Sequence, residues 1–181
     1  MKVTKLCLHD LLLIEPDCFF DERGFFLESF RESRYREIGI SCSFVQDNHS
    51  FSHKNVLRGM HFQEGGSQAK LVSVLVGTIY DVAVDIRTSS KTFGKWAGAL
   101  LDGQSHRQLF IPEGFAHGFC ALSDFAHVTY KVSRPFSAEK ERSFRFDDPD
   151  LAIEWPVSSF ILSKKDREAP FFKELFSLEA R

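Results

Sequence analysis

An all-β sandwich or barrel of the jelly-roll type is the fold class this sequence predicts. Its apolar residues recur with period two or in short continuous runs, as strands do. Glycines separate those runs at Gly24, Gly77, Gly94, Gly103 and Gly114, where turns belong. Many short strands at such close spacing close most simply into a sandwich or barrel.

The elements follow in order. Residues 11–14 are a continuous apolar run, and 25–29 resume apolar character after Gly24. Residues 32–38 suit a short helix. Residues 44–50 alternate, and 56–63 carry V-L-R-G-M-H-F-Q. After a Gly-Gly turn, 70–76 read K-L-V-S-V-L-V and 78–86 read T-I-Y-D-V-A-V-D-I. Strands then fall at 96–101, at 107–111 just before Pro112, at 118–121 and at 126–132. A second helix is expected at 171–178. No repeat, low-complexity tract or linker interrupts the chain, and 181 residues make most simply one domain, 1–181, with a real core.

Composition excludes several classes of function. At 43% hydrophobic the chain is globular, and its twenty phenylalanines supply large buried area. A net charge of −2 gives no electrostatic case for nucleic acid. His9, Asp10 and Glu15 interrupt the first apolar run, so neither a signal peptide nor a membrane span is expected there. Cys7, Cys18, Cys42 and Cys120 form no C-x-x-C pair, which argues against a zinc knuckle and suits free thiols in a reducing cytoplasm.

The chemistry centres on N-V-L-R-G-M-H-F-Q, 55–63, and Q-A-K-L-V, 68–72. An imidazole takes a proton near neutral pH, and an ammonium stabilises an oxyanion. His61 and Lys70, on neighbouring strands, therefore suit proton abstraction next to a carbonyl. By alternation His61 and Gln63 share a face and Arg58 points the other way. If Arg58 and His61 meet one ligand, an irregularity at Gly59 is expected to reset the parity. In 80–87, Asp81 and Asp85 share a face opposite Tyr80, Val82, Val84 and Ile86; they look outward or into a polar cavity, depending on which face meets the second sheet.

Asp166, in L-S-K-K-D, is a loop carboxylate able to orient His61 if the segment folds over the mouth. Tyr130 has a phenol able to donate a proton, and His117 can orient another polar group. A metal barrel wants H-x-H plus a carboxylate, but here Gln63 stands where a second imidazole would fall, and amides ligate transition metals poorly. His117 and Glu113 are only distant candidates, so no metal and no cofactor is expected. Arg23 and Arg58 are the guanidinium candidates for a diphosphate, and Phe19, Phe26 and Phe136 could stack a base. His9, His49, His53, His106 and His127 read as surface or structural.

The ordered segments F-F-D-E-R-G-F-F-L-E-S-F, F-V-Q-D-N-H-S, N-V-L-R-G-M-H-F-Q, Q-A-K-L-V, D-V-A-V-D-I-R, T-F-G-K-W, Q-L-F-I-P-E-G-F-A-H-G-F, T-Y-K, I-E-W-P and L-S-K-K-D follow one another from Phe19 to Asp166. Together they resemble the dTDP-4-dehydrorhamnose 3,5-epimerase family, a metal-free branch of the cupin-type jelly rolls. The resemblance implies His61 as base, Asp166 as its partner, Tyr130 as the acid for the opposite face and Lys70 as the enolate stabiliser. It implies substrate-binding roles for Arg23, Glu28, Gln46, Asn48, Arg58 and His117. It also implies a homodimer in which an exchanged N-terminal segment carries Arg23 and nearby aromatics to the neighbour's site. The implied substrate is dTDP-4-dehydro-6-deoxy-D-glucose. Other readings are a 3- or 5-mono-epimerase for another dTDP-deoxysugar and a sugar-nucleotide-binding protein without turnover. Phe136 stands where the family often has a tyrosine, losing a hydroxyl near the nucleotide; Met60 replaces the more usual leucine.

Overall fold

In the computed structural model, residues 1–65 and 67–176 are described. Thirteen strands are defined among them: β1 (Lys2–Lys5), β2 (Leu12–Glu15), β3 (Cys18–Asp21), β4 (Gly24–Leu27), β5 (Gln46–His53), β6 (Leu57–Gln63), β7 (Lys70–Val76), β8 (Thr78–Asp85), β9 (Trp96–Asp102), β10 (Gln108–Ile111), β11 (Phe115–Ala121), β12 (Phe125–Val132) and β13 (Glu141–Ser143). Three short helices accompany them: α1 (Glu32–Glu37), α2 (Lys164–Arg167) and α3 (Phe172–Leu175). Six strands form one sheet in the order β1-β2-β10-β7-β12-β5, and five form a second in the order β13-β6-β11-β8-β9. β3 and β4 pair only with each other.

The main core lies between the two large sheets. Val72, Val74, Leu109 and Val128 from the first meet Ile79, Ala83, Leu101, Phe115 and Phe119 from the second. Alternation supplies these inward faces, since each contributing strand presents every second residue to the opposite sheet. The outer faces are covered as well. Tyr35 of α1 and Ile40 pack on Ile14, Leu71 and Phe110 of the first sheet. Phe144, Leu151 and Phe172 pack on Met60, Val82 and Val84 of the second.

That second cover decides the two readings of 80–87. Val82 and Val84 face the C-terminal segments, so Asp81 points between the sheets, where it is fully buried.

The predicted strands are present with shifted ends. The strand expected at 44–50 runs from Gln46 to His53, and the one expected at 118–121 begins at Phe115. Four elements were not expected: β1, β3, β13 and α2. The predicted 171–178 helix is confined to Phe172–Leu175, and residues 177 and 178 lie outside those described. Among the described residues no helix is long and apolar enough to cross a membrane.

Candidate active site

Between the sheets, at one end of the sandwich, two contiguous cavities of about 320 and 200 Å³ share His61, Lys70, Tyr130 and Glu141. The first sheet supplies Lys70 from the start of β7 and Tyr130 from β12. Val132 pairs with Lys70, and Tyr130 pairs with Asn48 of β5, so Gln46, Asn48 and Ser50 share that wall by alternation. The second sheet supplies Arg58 and His61 from β6 and His117 from β11. Tyr130 and His61 therefore stand on opposing walls.

Arg58 and His61 line the same cavity, and the irregularity needed for that is present. His117 pairs with His61 and Phe119 with Arg58, so three residues of β6 oppose two of β11. Gly59 sits in the shift at φ 139°, and a Cβ there would lie 2.5 Å from the Gly118 Cα. Both the backbone conformation and the close approach require glycine.

His61 Nε2 lies 2.6 Å from Asp166 Oδ1. Asp166 is on α2 rather than in a solvated loop, and it is 3% exposed. Ser163 caps α2 by accepting from the Asp166 backbone amide at 3.1 Å, which aims the carboxylate at β6. Burial pushes the Asp166 carboxyl up, but hydrogen bonds from His61, Ser163 and the Gly59 amide outweigh it and leave the group below its ordinary value. Asp166 is thus an anion that accepts from Nε2–H. That leaves Nδ1 as the lone-pair nitrogen of His61, with no protein partner among the described residues.

A second pair lies deeper. His117 Nε2 is 2.5 Å from Asp81 Oδ1, and its Nδ1 is 3.5 Å from Lys70 Nζ. Burial lowers the His117 pKa, helped by the Lys70 charge and opposed by Asp81. The ring is therefore neutral, donates to Asp81 through Nε2–H, and accepts from the ammonium at Nδ1. Burial also brings Lys70 down to about 8, against the pull of Asp81 and Glu141. Tyr130 is raised by burial, with Arg58 opposing, so its phenol holds its proton at neutral pH.

The other expected site residues fall into two groups. Gln46, Asn48 and Phe136 line the smaller cavity; Gln46 donates to Asn48 at 2.8 Å and accepts from the Phe136 amide at 3.0 Å. Arg23, Phe19, Phe26 and Glu28 line neither cavity. Arg23 sits at the exposed tip of the β3–β4 hairpin, paired with Asp21, and Glu28 pairs with Arg34 at 3.2 Å. Among the described residues no three His, Cys, Asp or Glu side chains are grouped as a metal ion would need.

Glu141 and Lys165 line the larger cavity and pair with each other, and neither was expected from sequence. Lys165 adjoins Asp166 in L-S-K-K-D, a signal that was available. Glu141 lies in a polar stretch without alternation, which offered none.

The family model described as dTDP-4-dehydrorhamnose 3,5-epimerase matches residues 5–174. The dTDP-4-dehydrorhamnose 3,5-epimerase of Shigella flexneri is 53% identical over 168 residues, covering 92% of this chain and 93% of the relative. That of Salmonella typhimurium is 50% identical over 182 residues, covering 99% and 100%. A crystal structure of the Legionella pneumophila dTDP-6-deoxy-D-glucose-3,5-epimerase, in complex with dTDP-4-keto-L-rhamnose, superposes with a TM-score of 0.92 at 49% identity, covering 94% of this chain and 92% of that one. With this extent of matching joined to the cupin-type sandwich and its lined cavity, the chain belongs to the dTDP-4-dehydrorhamnose 3,5-epimerase family.

Proposed function

We propose that this chain, as one dTDP-sugar epimerase domain, converts dTDP-4-dehydro-6-deoxy-D-glucose to dTDP-4-dehydro-L-rhamnose. The observation that carries the reading is the opposition of His61–Asp166 and Tyr130 across one cavity, with Lys70 beside them. The C4 ketone acidifies the hydrogens at C3 and C5. His61 takes one of them on Nδ1, and Asp166 stabilises the imidazolium at Nε2. The Lys70 ammonium holds the enolate oxygen. Tyr130 then delivers its phenolic proton to the opposite face of the same carbon, which inverts it. His61 returns its proton to solvent, Tyr130 regains one, and the cycle repeats at the second carbon. No step calls on a cofactor.

Arg58 and Lys165 offer charged contacts for the diphosphate, while Gln46, Asn48 and Phe136 line the smaller cavity as further substrate-binding groups. A homodimer with exchanged N-terminal segments belongs to the same reading. Its support is the β3–β4 hairpin, which leaves Phe19, Phe20, Phe25 and Phe26 between 56% and 72% exposed around Arg23. Such a patch suits a protein partner, and a second copy would receive Arg23 and the two ring pairs at its own cavity. Sedimentation velocity tests this: a monomer at micromolar concentration would sink the exchange. A cytoplasmic location fits the four free thiols.

The decisive test of function is an NMR time course of dTDP-4-dehydro-6-deoxy-D-glucose with enzyme in deuterated water. Deuterium entering C3 and C5 with inversion at both is the expected result. Inversion at one carbon alone would make the chain a mono-epimerase, and no exchange would make it a binding protein.

A further inference from the structure

Three glutamines line the smaller cavity, and two have their amides committed to the protein. Gln46 bridges Asn48 and the Phe136 backbone, and Gln68 donates to the Arg134 carbonyl at 2.6 Å. Gln63 differs. It is 8% exposed, and its Nε2 has no hydrogen-bond partner among the described residues. Buried amide donors are almost always satisfied, because one left bare has given up its water without replacement. Its cross-strand neighbour on β13 is Glu141, yet that carboxylate is turned to Lys165 instead. Gln63 lines the cavity while its donor is sealed from it; a turn of the terminal carboxamide, whose torsion is broad and two-fold, presents that donor to an acceptor that enters from outside.

Its position says which part of a ligand that acceptor belongs to. Gln63 follows His61 by two residues on one strand, so both side chains point inward from Cα atoms about 6.6 Å apart. That separation is comparable with a hexose ring and one substituent. The group is also neutral, whereas an anionic phosphate would be drawn to Arg58 and Lys165, which line the larger cavity.

We propose that the Gln63 carboxamide is a sugar-recognition group, donating through Nε2–H to a hydroxyl oxygen of the hexose whose ring carbons His61 addresses. The inference rests on the dTDP-hexose reading above and adds to it a residue that selects for a polar substituent beside the reacting carbons. Gln46 and Gln68, held by internal bonds, shape the mouth; Gln63 reads the ring.

The test uses dTDP-glucose, which carries the nucleotide and a hexose but no ketone and so does not turn over, with dTDP alone as its control. Calorimetry on Gln63→Met should show dTDP-glucose binding weakened roughly 3- to 10-fold, the worth of one ordinary hydrogen bond. Binding of dTDP should match the wild type. Tm should hold or rise, because replacing a bare buried donor by an apolar group of similar shape removes no satisfied bond. Unchanged dTDP-glucose affinity overturns the proposal. So does an equal loss for both ligands, which would assign Gln63 to the nucleotide or, with a lowered Tm, to the scaffold. Should Gln63→Met fail to fold, the wild type suffices: the Gln63 side-chain amide resonances should shift with dTDP-glucose and stay in place with dTDP, and no difference overturns the proposal. A wild type that binds dTDP but shows no gain from any attached hexose counts against the dTDP-hexose reading itself, a result distinct from all of these.

Discussion

The lining of the site holds the same chemical pair twice, at two depths. His61–Asp166 and His117–Asp81 are each an imidazole nitrogen about one short hydrogen bond from a carboxylate oxygen, at 2.6 and 2.5 Å. What separates them is the second ring nitrogen. In His61 it has no protein partner among the described residues, and the ring is partly open to the cavity. In His117 it faces Lys70 at 3.5 Å, and the side chain is 7% exposed. A ring with one free lone pair can accept a proton from a ligand. A ring engaged at both nitrogens can only hold its neighbours, here the ammonium of Lys70 against the charge of Asp81. The lesson is that an imidazole–carboxylate pair does not define a base; the unoccupied nitrogen does.

Replacing each ring in turn breaks the comparison most sharply. His61→Ala should lower kcat by about 10²–10⁴-fold, the worth of a positioned general base, and should abolish deuterium exchange into the substrate. His117→Asn should instead leave exchange detectable, since His61 is intact, while raising KM or lowering kcat through a misplaced Lys70. Turnover by His61→Ala close to that of the wild type would refute the assignment of the base.

Tyr130→Phe sharpens the same contrast from the opposite wall. His61 can still remove hydrogens, so solvent deuterium should enter C3 or C5 while the sugar keeps its configuration. Ring-proton couplings and deuterium content, followed together by NMR, separate this from a packing defect, which slows both equally. Inversion at the wild-type rate would mean that another group is the acid.

The carboxylates come next. Asp166→Asn replaces a charge-assisted hydrogen bond to the imidazolium by a neutral one, a loss of roughly 1–1.5 kcal/mol and hence about 5- to 10-fold in kcat. Its readout is single-turnover chemistry at saturating substrate, with dTDP binding unchanged. Comparable activity would show that Asp166 only orients the ring.

The smallest expected effect is a shift in pH dependence. Lys70 titrates at about 8, so its ammonium is present below that pH and lost above it. Activity that depends on the charged form should fall through an alkaline limb near pH 8. Asp81 holds the Lys70 charge on, so Asp81→Asn should move that limb to lower pH, whereas Asp166→Asn should leave it where it is. A kcat/KM profile flat to pH 10 in the wild type would remove Lys70 from the charged role.

Much of this architecture is legible in the chain because it is local. The long strands show as alternation, and the turns at Gly24, Gly77, Gly94 and Gly114 all have positive φ, which glycine tolerates and other residues resist. The parity argument at Gly59 worked for the same reason, since two side chains on one strand cannot share a face at odd spacing without an extra residue. The missed elements lacked such signals. β3 and β4 are joined through Glu22-Arg23, with no Asn-Gly or Asp-Gly to announce a hairpin. β13 reads only E-R-S and is a strand because β6 offers it an edge. α2 is four residues, too short for any periodicity.

By itself, then, the sequence determined the strand pattern, the family and the set of reactive side chains, because backbone stereochemistry and side-chain identity act at short range. Tertiary structure alone decided which of them meet and in what environment. Asp166 reaches His61 across 105 residues and is stripped of water when α2 folds onto β6. Asp81 and His117 meet only because β8 and β11 are neighbours in the second sheet. Burial then lowers Lys70, raises Tyr130 and leaves Gln63 with a bare donor. Desolvation depends on what covers a group rather than on what precedes it in the chain, so no spacing of residues could have disclosed which imidazole keeps a nitrogen free.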